Sequence, residues 1–191
     1  LPCQAVKGLK CSICRRMTPP KSSKPAKIRD NIGQFNEVVL SDLAYVKDAK
    51  GVSHGWIVIV DEGTDWTAAK YLGHGVDTKT GSILYDSVES CWINWAGPPD
   101  TFIADGERGF ASEEFCKKLG RAGTLYQPPA AYAPWQKGKV ERKIESFKSI
   151  VKKTIIDLGV TESSEFSVVG IEAASVVNQR PGPTGVSAGM I

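Results

Sequence analysis

No apolar run in the sequence approaches the roughly 20 residues that a membrane-spanning helix needs. No signal-peptide pattern opens it either. Together these absences predict a chain that neither crosses a membrane nor is secreted. Histidine is scarce: His54 and His74 are the only two, and they lack the H-x₃₋₅-H spacing of a zinc finger. The five cysteines, Cys3, Cys11, Cys14, Cys91 and Cys116, are odd in number. Without a secretion signal they argue against a disulfide framework and for a reducing compartment. Internal repeats and low-complexity tracts are also missing. The first residue is Leu1 rather than Met, so a processed piece or a fragment of a longer polypeptide is expected.

What is present is enough for one substantial domain with an appendage: 191 residues, 41% of them hydrophobic. Net charge is only +3, but it is unevenly spread. Residues 1–36 hold eight Lys/Arg against one Asp, and residues 134–153 hold seven against two Glu. The rest of the chain therefore carries −9. Two basic segments flanking an acidic body suit a polyanionic partner combined with an acidic metal site. The same charges also suit a solvated tail and a solvated helix face.

Residues 1–35 are rich in Lys, Pro and Ser, and Pro19, Pro20 and Pro25 argue against continuous helix. They read as a basic arm leading into a domain over 36–191. In that domain "EVVLSDLAYV" (37–46), "HGWIVIVDE" (54–62) and "WTAAKYL" (66–72) read as three strands of an antiparallel meander. Apolar spacing at Ile83, Leu84, Val88, Cys91, Trp92 and Trp95 predicts a helix within 77–96. A short strand follows at 100–105, then a helix over 111–123 opened by Ser112 and closed by glycine. A brief strand at 124–127 leads through a Pro/Ala/Tyr loop to a long helix from about 138. Its expected core stripe is Val140, Ile144, Phe147, Val151, Ile155 and Leu158. A last helix spans about 164–178. This order predicts an α/β fold, a mixed sheet of five strands with helices packed on its faces.

Three acids fall at informative places. Asp42 lies within the first strand, in alternation with Val38, Leu40 and Ala44, and so on their inward face. A buried acid is costly unless it is paired or bound to a metal. Asp105 ends a strand and precedes Gly106, and carboxyl ends of strands often hold active sites. Glu141 reads as a first-turn helix residue, where the macrodipole favours an acid. Each alone has an ordinary structural explanation. Asp61, at the end of the most apolar strand, is a rival first acid.

Between Asp105 and Glu141 lie 35 residues. That spacing, after an aspartate on a first strand, resembles the catalytic signature of retroviral-type integrases. "FNEVVLSDLAYV" is similar to the family's first strand, and "WIVIVDEGTDWTAAKYL" to its second and third. "FIADGERGFASEEF" resembles its strand, aspartate, glycine and following helix. "PWQKGKVERKIESFK" resembles its P-x-x-x-G-x-x-E segment, and "NQRPGPTGVSAG" the end of its core. The likeness runs from residue 36 to about 191, and its variants look more like integrases of LTR retrotransposons than of animal retroviruses. It implies a ribonuclease-H-like fold and a catalytic triad of Asp42, Asp105 and Glu141 that holds Mg²⁺ or Mn²⁺, two ions in all. The implied reactions are 3′-end processing of element DNA and strand transfer into target DNA. Asp61 matches a family position outside the triad and is expected to form a turn or support the site.

The hard carboxylate oxygens suit these ions. Two metals about 3.5–4 Å apart stabilise both the attacking and leaving oxygens of a phosphoryl displacement. Around Glu141, Lys137, Lys139, Lys143 and Lys148 are candidates for phosphate contacts, and a solvated face is the alternative. The family places a DNA-contacting lysine at the offset of Lys148. Where the family has another lysine, four residues after the glutamate, this chain has Glu145, and Lys137 stands where Asn or Gln is usual. Trp135 and Tyr132 suit either base stacking or packing of their loop. Pro134 and Gly138 are expected to let the 128–138 loop move.

Cys11 and Cys14 have the spacing of half a zinc site. The resemblance implies an N-terminal zinc domain cut off from its upstream histidines, so Zn²⁺ is expected only in a longer parent protein. Double-stranded DNA, a homo-oligomeric state and a nuclear destination reached through a cytoplasmic retroelement particle are further implications. A decayed DNA-binding copy, a related DDE transposase and a ribonuclease-H-type nuclease stand as alternatives.

Overall fold

The computed structural model describes residues 33–74, 80–104, 109–128, 134–181 and 187–190; the side chains of 134–137, 139 and 190 fall outside that description. All described residues belong to one compact unit, Ile32–Ile191. The basic arm, with Cys11 and Cys14, lies outside the described residues.

The sheet has five strands in the order β3-β2-β1-β4-β5. β1 (Val38–Lys47), β2 (Ser53–Asp61) and β3 (Thr67–His74) form the expected antiparallel meander. Asp48 shapes the first turn by accepting from Lys50 N and Val52 N, both at 2.8 Å. β4 (Thr101–Ala104) and β5 (Leu125–Gln127) run parallel to β1. Parallel neighbours need crossovers, which here are helical. α1 starts at Gly81–Val88 and continues through a π-helical turn, Glu89–Ile93, to Asn94–Ala96. α2 spans Glu113–Ala122: Ser112 accepts from Phe115 N at its start, and Gly123, at φ 91°, ends it. α3 covers Pro134–Leu158 and α4 covers Ser163–Gln179. None of the described helices is long and apolar enough to cross a membrane.

Strand periodicity sorts the core into two layers. Even residues of β1, Leu40, Ala44 and Val46, pack with Val140, Ile144 and Phe147 of α3 and with α4. Odd residues, Val39 and Leu43, pack with α1, α2 and β4 on the opposite face. β2 is buried from His54 to Asp61, as befits an inner strand covered on both sides.

Three sequence expectations need correction. α3 begins at Pro134, not near 138, so Pro134 and Gly138 belong to a helix and not to a movable loop. Proline is tolerated in a first helical turn, where its missing N–H has no partner to lose. One glycine inside a 25-residue helix costs only about 1 kcal/mol relative to alanine, too little to stop it. Glu141 is consequently the eighth residue of α3, beyond the reach of the N-terminal dipole. Leu158 is 70% exposed and does not extend the core stripe; Ile155 before it and Val160 just past the helix fill the buried places instead. Trp95 and Ile83 of the predicted α1 stripe are also exposed. Trp95 follows the π-turn, which shifts the phase of the helix, so a uniform 3.6-residue spacing misassigns its end.

One glycine is a packing requirement. Trp56 is fully buried and donates its indole N–H to Phe166 O at 3.2 Å. A Cβ on Gly170 of α4 would sit 2.5 Å from that nitrogen. Helix propensity alone favours alanine by about 1 kcal/mol, but overpacking costs about 1–3 kcal/mol. Gly170→Ala is therefore expected to lower stability in a urea titration. An unchanged or raised midpoint contradicts this packing.

Candidate active site

Asp42 sits in the middle of β1, opposite Val58 of β2. It belongs to the even face of the strand, the one covered by α3. Its side chain is half-buried, and Oδ1 accepts from Leu43 N at 2.7 Å, which fixes the direction of the carboxylate. On the other side of β1, Ser41 is the register partner of Ala104, the last residue of β4. Asp105 follows Ala104 in sequence and lies outside the described residues. Glu141 is exposed on α3, beside Val140, which is buried in the cluster that contains Leu40 and Ala44.

Thus β1 and α3 supply two oxygen-donor side chains at one face of the sheet. This donor chemistry fits a hard divalent cation. Among the described residues, no three His, Cys, Asp or Glu side chains gather as a metal site. Asp105, the third acid expected there, is not among them.

Asp61 does different work. It is fully buried at the end of β2, and its carboxylate accepts from Asn36 N (2.8 Å), Thr64 N (2.7 Å) and Thr64 Oγ1 (2.8 Å). Both oxygens are taken up by the β2–β3 turn and the entry to β1. This is the turn-forming role expected for it.

The lysines divide by helix flank. At 3.6 residues per turn, Lys148 lies roughly 20° around the helix from Glu141, on the same flank. Lys148 is half-buried. Lys143 lies on the opposite flank, and its Nζ is 3.9 Å from Asp65 Oδ2 in the β2–β3 turn. The side chains of Lys137 and Lys139 fall outside the described residues, as do the Trp135 side chain and Tyr132.

His54 is buried: Nδ1 lies 2.8 Å from Tyr71 Oη, Nε2 lies 3.3 Å from Asp48 Oδ2, and the ring stacks on Phe166 at 3.7 Å. It ties the first hairpin to α4. Cys91 and Cys116 are free thiols. Burial pushes the Cys91 thiol up to about 12, which keeps it protonated and unreactive.

Sequence reasoning did not find the Lys143–Asp65 contact. Its partners are 78 positions apart in different elements, and only the folded turn brings them together.

No protein-family model matches the chain, and no curated protein does. Solved structures do match. The catalytic core of HTLV-2 integrase in complex with magnesium, in its trimeric form, superposes with a TM-score of 0.65 at 18% identity, over 82% of this chain and 95% of that one. The dimeric form gives 0.66 at 17% identity, over 84% and 99%. A simian T-cell lymphotropic virus intasome in complex with the PP2A regulatory subunit B56 gamma gives 0.70 at 19%, over 98% and 68%. The chain therefore has the ribonuclease-H-like fold of retroviral integrase catalytic cores: a mixed five-stranded sheet flanked by helices.

Proposed function

We propose that residues 36–191 are the catalytic core of a DDE-type integrase from an LTR retrotransposon, acting on double-stranded DNA. Its reactions are 3′-end processing and strand transfer. One observation carries the reading: the parallel register of β1 and β4 pairs Ser41 with Ala104, and the preceding pair, Leu40 and Ile103, packs in one cluster with Val140 and Ile144 of the helix that bears Glu141. Asp42 and Asp105 are the residues that follow Ser41 and Ala104 in sequence. The likeness to integrase cores, one of them solved with magnesium, supports the same reading.

In this reading Asp42, Asp105 and Glu141 hold two Mg²⁺ or Mn²⁺ ions. Bound there, the ions supply charge stabilisation to the attacking and leaving oxygens of an in-line phosphoryl displacement. The chain's own task is positioning. The Leu43 N–H holds Asp42 in one orientation, and the packing of Val140 and Ile144 sets the height of Glu141 above the sheet. Lys148 on Glu141's flank, with Lys137 and Lys139 upstream, provides phosphate contacts that orient the DNA without reading its sequence. Joining both ends of an element calls for more than one core, so a homo-oligomer is part of the proposal, and the dimeric and trimeric forms of the solved neighbour support it. The site of action is the nucleus, where target DNA resides.

The test is strand transfer with labelled duplex ends, supplied with Mg²⁺ or Mn²⁺. Joined products that vanish on chelation are expected. DNA binding without any joined product contradicts the proposal and supports a decayed binding module.

A further inference from the structure

Lys143 is one of four lysines around Glu141, and by sequence it reads as a DNA contact. The structure directs it elsewhere. Its side chain is only 20% exposed and reaches Asp65, itself 26% exposed, at 3.9 Å. Lys143 lies roughly 160° around α3 from Glu141.

Asp65 stands in an ordered turn. Its N–H donates to Asp61 O at 3.1 Å, and its own carbonyl accepts from Thr67 Oγ1 at 3.2 Å. The Asp61 carboxylate binds Thr64 through both N–H and hydroxyl. Asn178 of α4 clamps Thr67, accepting from its N–H at 2.8 Å and donating to its carbonyl at 2.9 Å. Asp65 adopts φ 65°, a left-handed conformation that Asp and Asn tolerate better than most residues. The turn thus presents one carboxylate from a fixed backbone towards one flank of α3.

We infer that Asp65 and Lys143 form a clamp that sets the rotation of α3, so that Lys143 is a positioning residue for Glu141 and not a contact to DNA phosphate. The apolar stripe Val140, Ile144 and Phe147 packs the helix against the sheet and limits its rotation, and the charged contact adds a restraint on one flank that the stripe alone does not supply. A charged contact on one flank resists rotation, and Glu141 on the other flank moves by the same angle. Displacing a catalytic group by about 1 Å can cost about 10²-fold in rate.

This inference rests on the integrase reading for its catalytic consequence, but the clamp itself can be tested without DNA. Asp65→Asn keeps the left-handed turn and removes the charge, and Lys143→Met keeps the apolar stem. In a urea double-mutant cycle the two substitutions should be non-additive, the double variant losing little more than either single one. Additive losses overturn the clamp.

With duplex DNA, Lys143→Met should lower the rate of strand transfer about tenfold, leave KM for DNA unchanged, and leave the salt dependence of binding unchanged. Lys143→Arg should recover most of the rate. Lys148→Met is the internal comparison. As a phosphate contact it should lower the slope of log K against log salt by about 0.9. If Lys143→Met lowers that slope equally, Lys143 is a phosphate contact and the inference is wrong. If wild type joins no DNA but the stability cycle still shows coupling, the integrase reading fails and the clamp survives.

Discussion

Asp42→Asn is expected to reduce strand transfer by about 10³-fold or more, which corresponds to about 4 kcal/mol of lost transition-state stabilisation. The substitution is nearly isosteric. It removes the charge that a divalent ion requires while keeping an oxygen able to accept from Leu43 N, now 2.7 Å from Oδ1. Asp42 is half-buried and at most partly desolvated, so the urea midpoint should move little. Asp61→Asn sets the contrast. Asp61 is fully buried and accepts three hydrogen bonds, so turning one oxygen into a donor leaves a mismatched pair inside the turn. An unsatisfied buried partner costs about 1–3 kcal/mol, which should appear as lost stability. If Asp61→Asn abolished strand transfer in folded protein while Asp42→Asn retained it, the assignment of the first acid would be wrong.

Glu141→Gln carries the second large effect, again about 10³-fold or more on strand transfer. Here stability should hold even more closely. Glu141 is exposed in the third turn of α3, and exposed substitutions usually stay within about 0.5 kcal/mol. A glutamate kept only to cap a helix start would behave in the opposite way, losing stability and sparing activity. The structure already weakens that explanation, because the helix begins seven residues earlier. Binding of duplex DNA should survive Glu141→Gln, since the phosphate contacts are assigned to lysines. Joined product from the folded variant at the wild-type rate would exclude Glu141 from the site.

The parts of this fold that repeat a period were legible in sequence. The alternation of "VVLSDLAYV" placed Asp42 on the face of Leu40 and Ala44, and those residues share the α3 cluster. The continuous apolar run of β2 marked an inner strand, and Ser112 and Gly123 marked both ends of α2. Legibility failed where a local rule met a tertiary one. Pro134 looked like a loop residue, yet the same ring suits a first helical turn. Leu158 continued the helical spacing, but the chain turns after it and Val160 takes the buried place. Trp95 fell out of phase because a π-turn inserts an extra residue, which no apolar spacing announces.

The candidate site shows the same division. The resemblance to integrases, through its spacing and motif order, implied Asp42, Asp105 and Glu141 together, although each acid had its own bland explanation. Lys143 could not be separated from Lys148 by composition. The two differ by the flank of α3 they occupy and by what faces that flank: Asp65, held in a left-handed turn, faces Lys143.

Whether these carboxylates form one divalent-metal site is decided by Mn²⁺ titration of the wild-type and Glu141→Gln chains, followed by electron paramagnetic resonance. Mn²⁺ binding by the wild-type chain, and at least tenfold weaker binding by Glu141→Gln in folded protein, is expected. Equal Mn²⁺ affinity in the two chains would contradict a shared site.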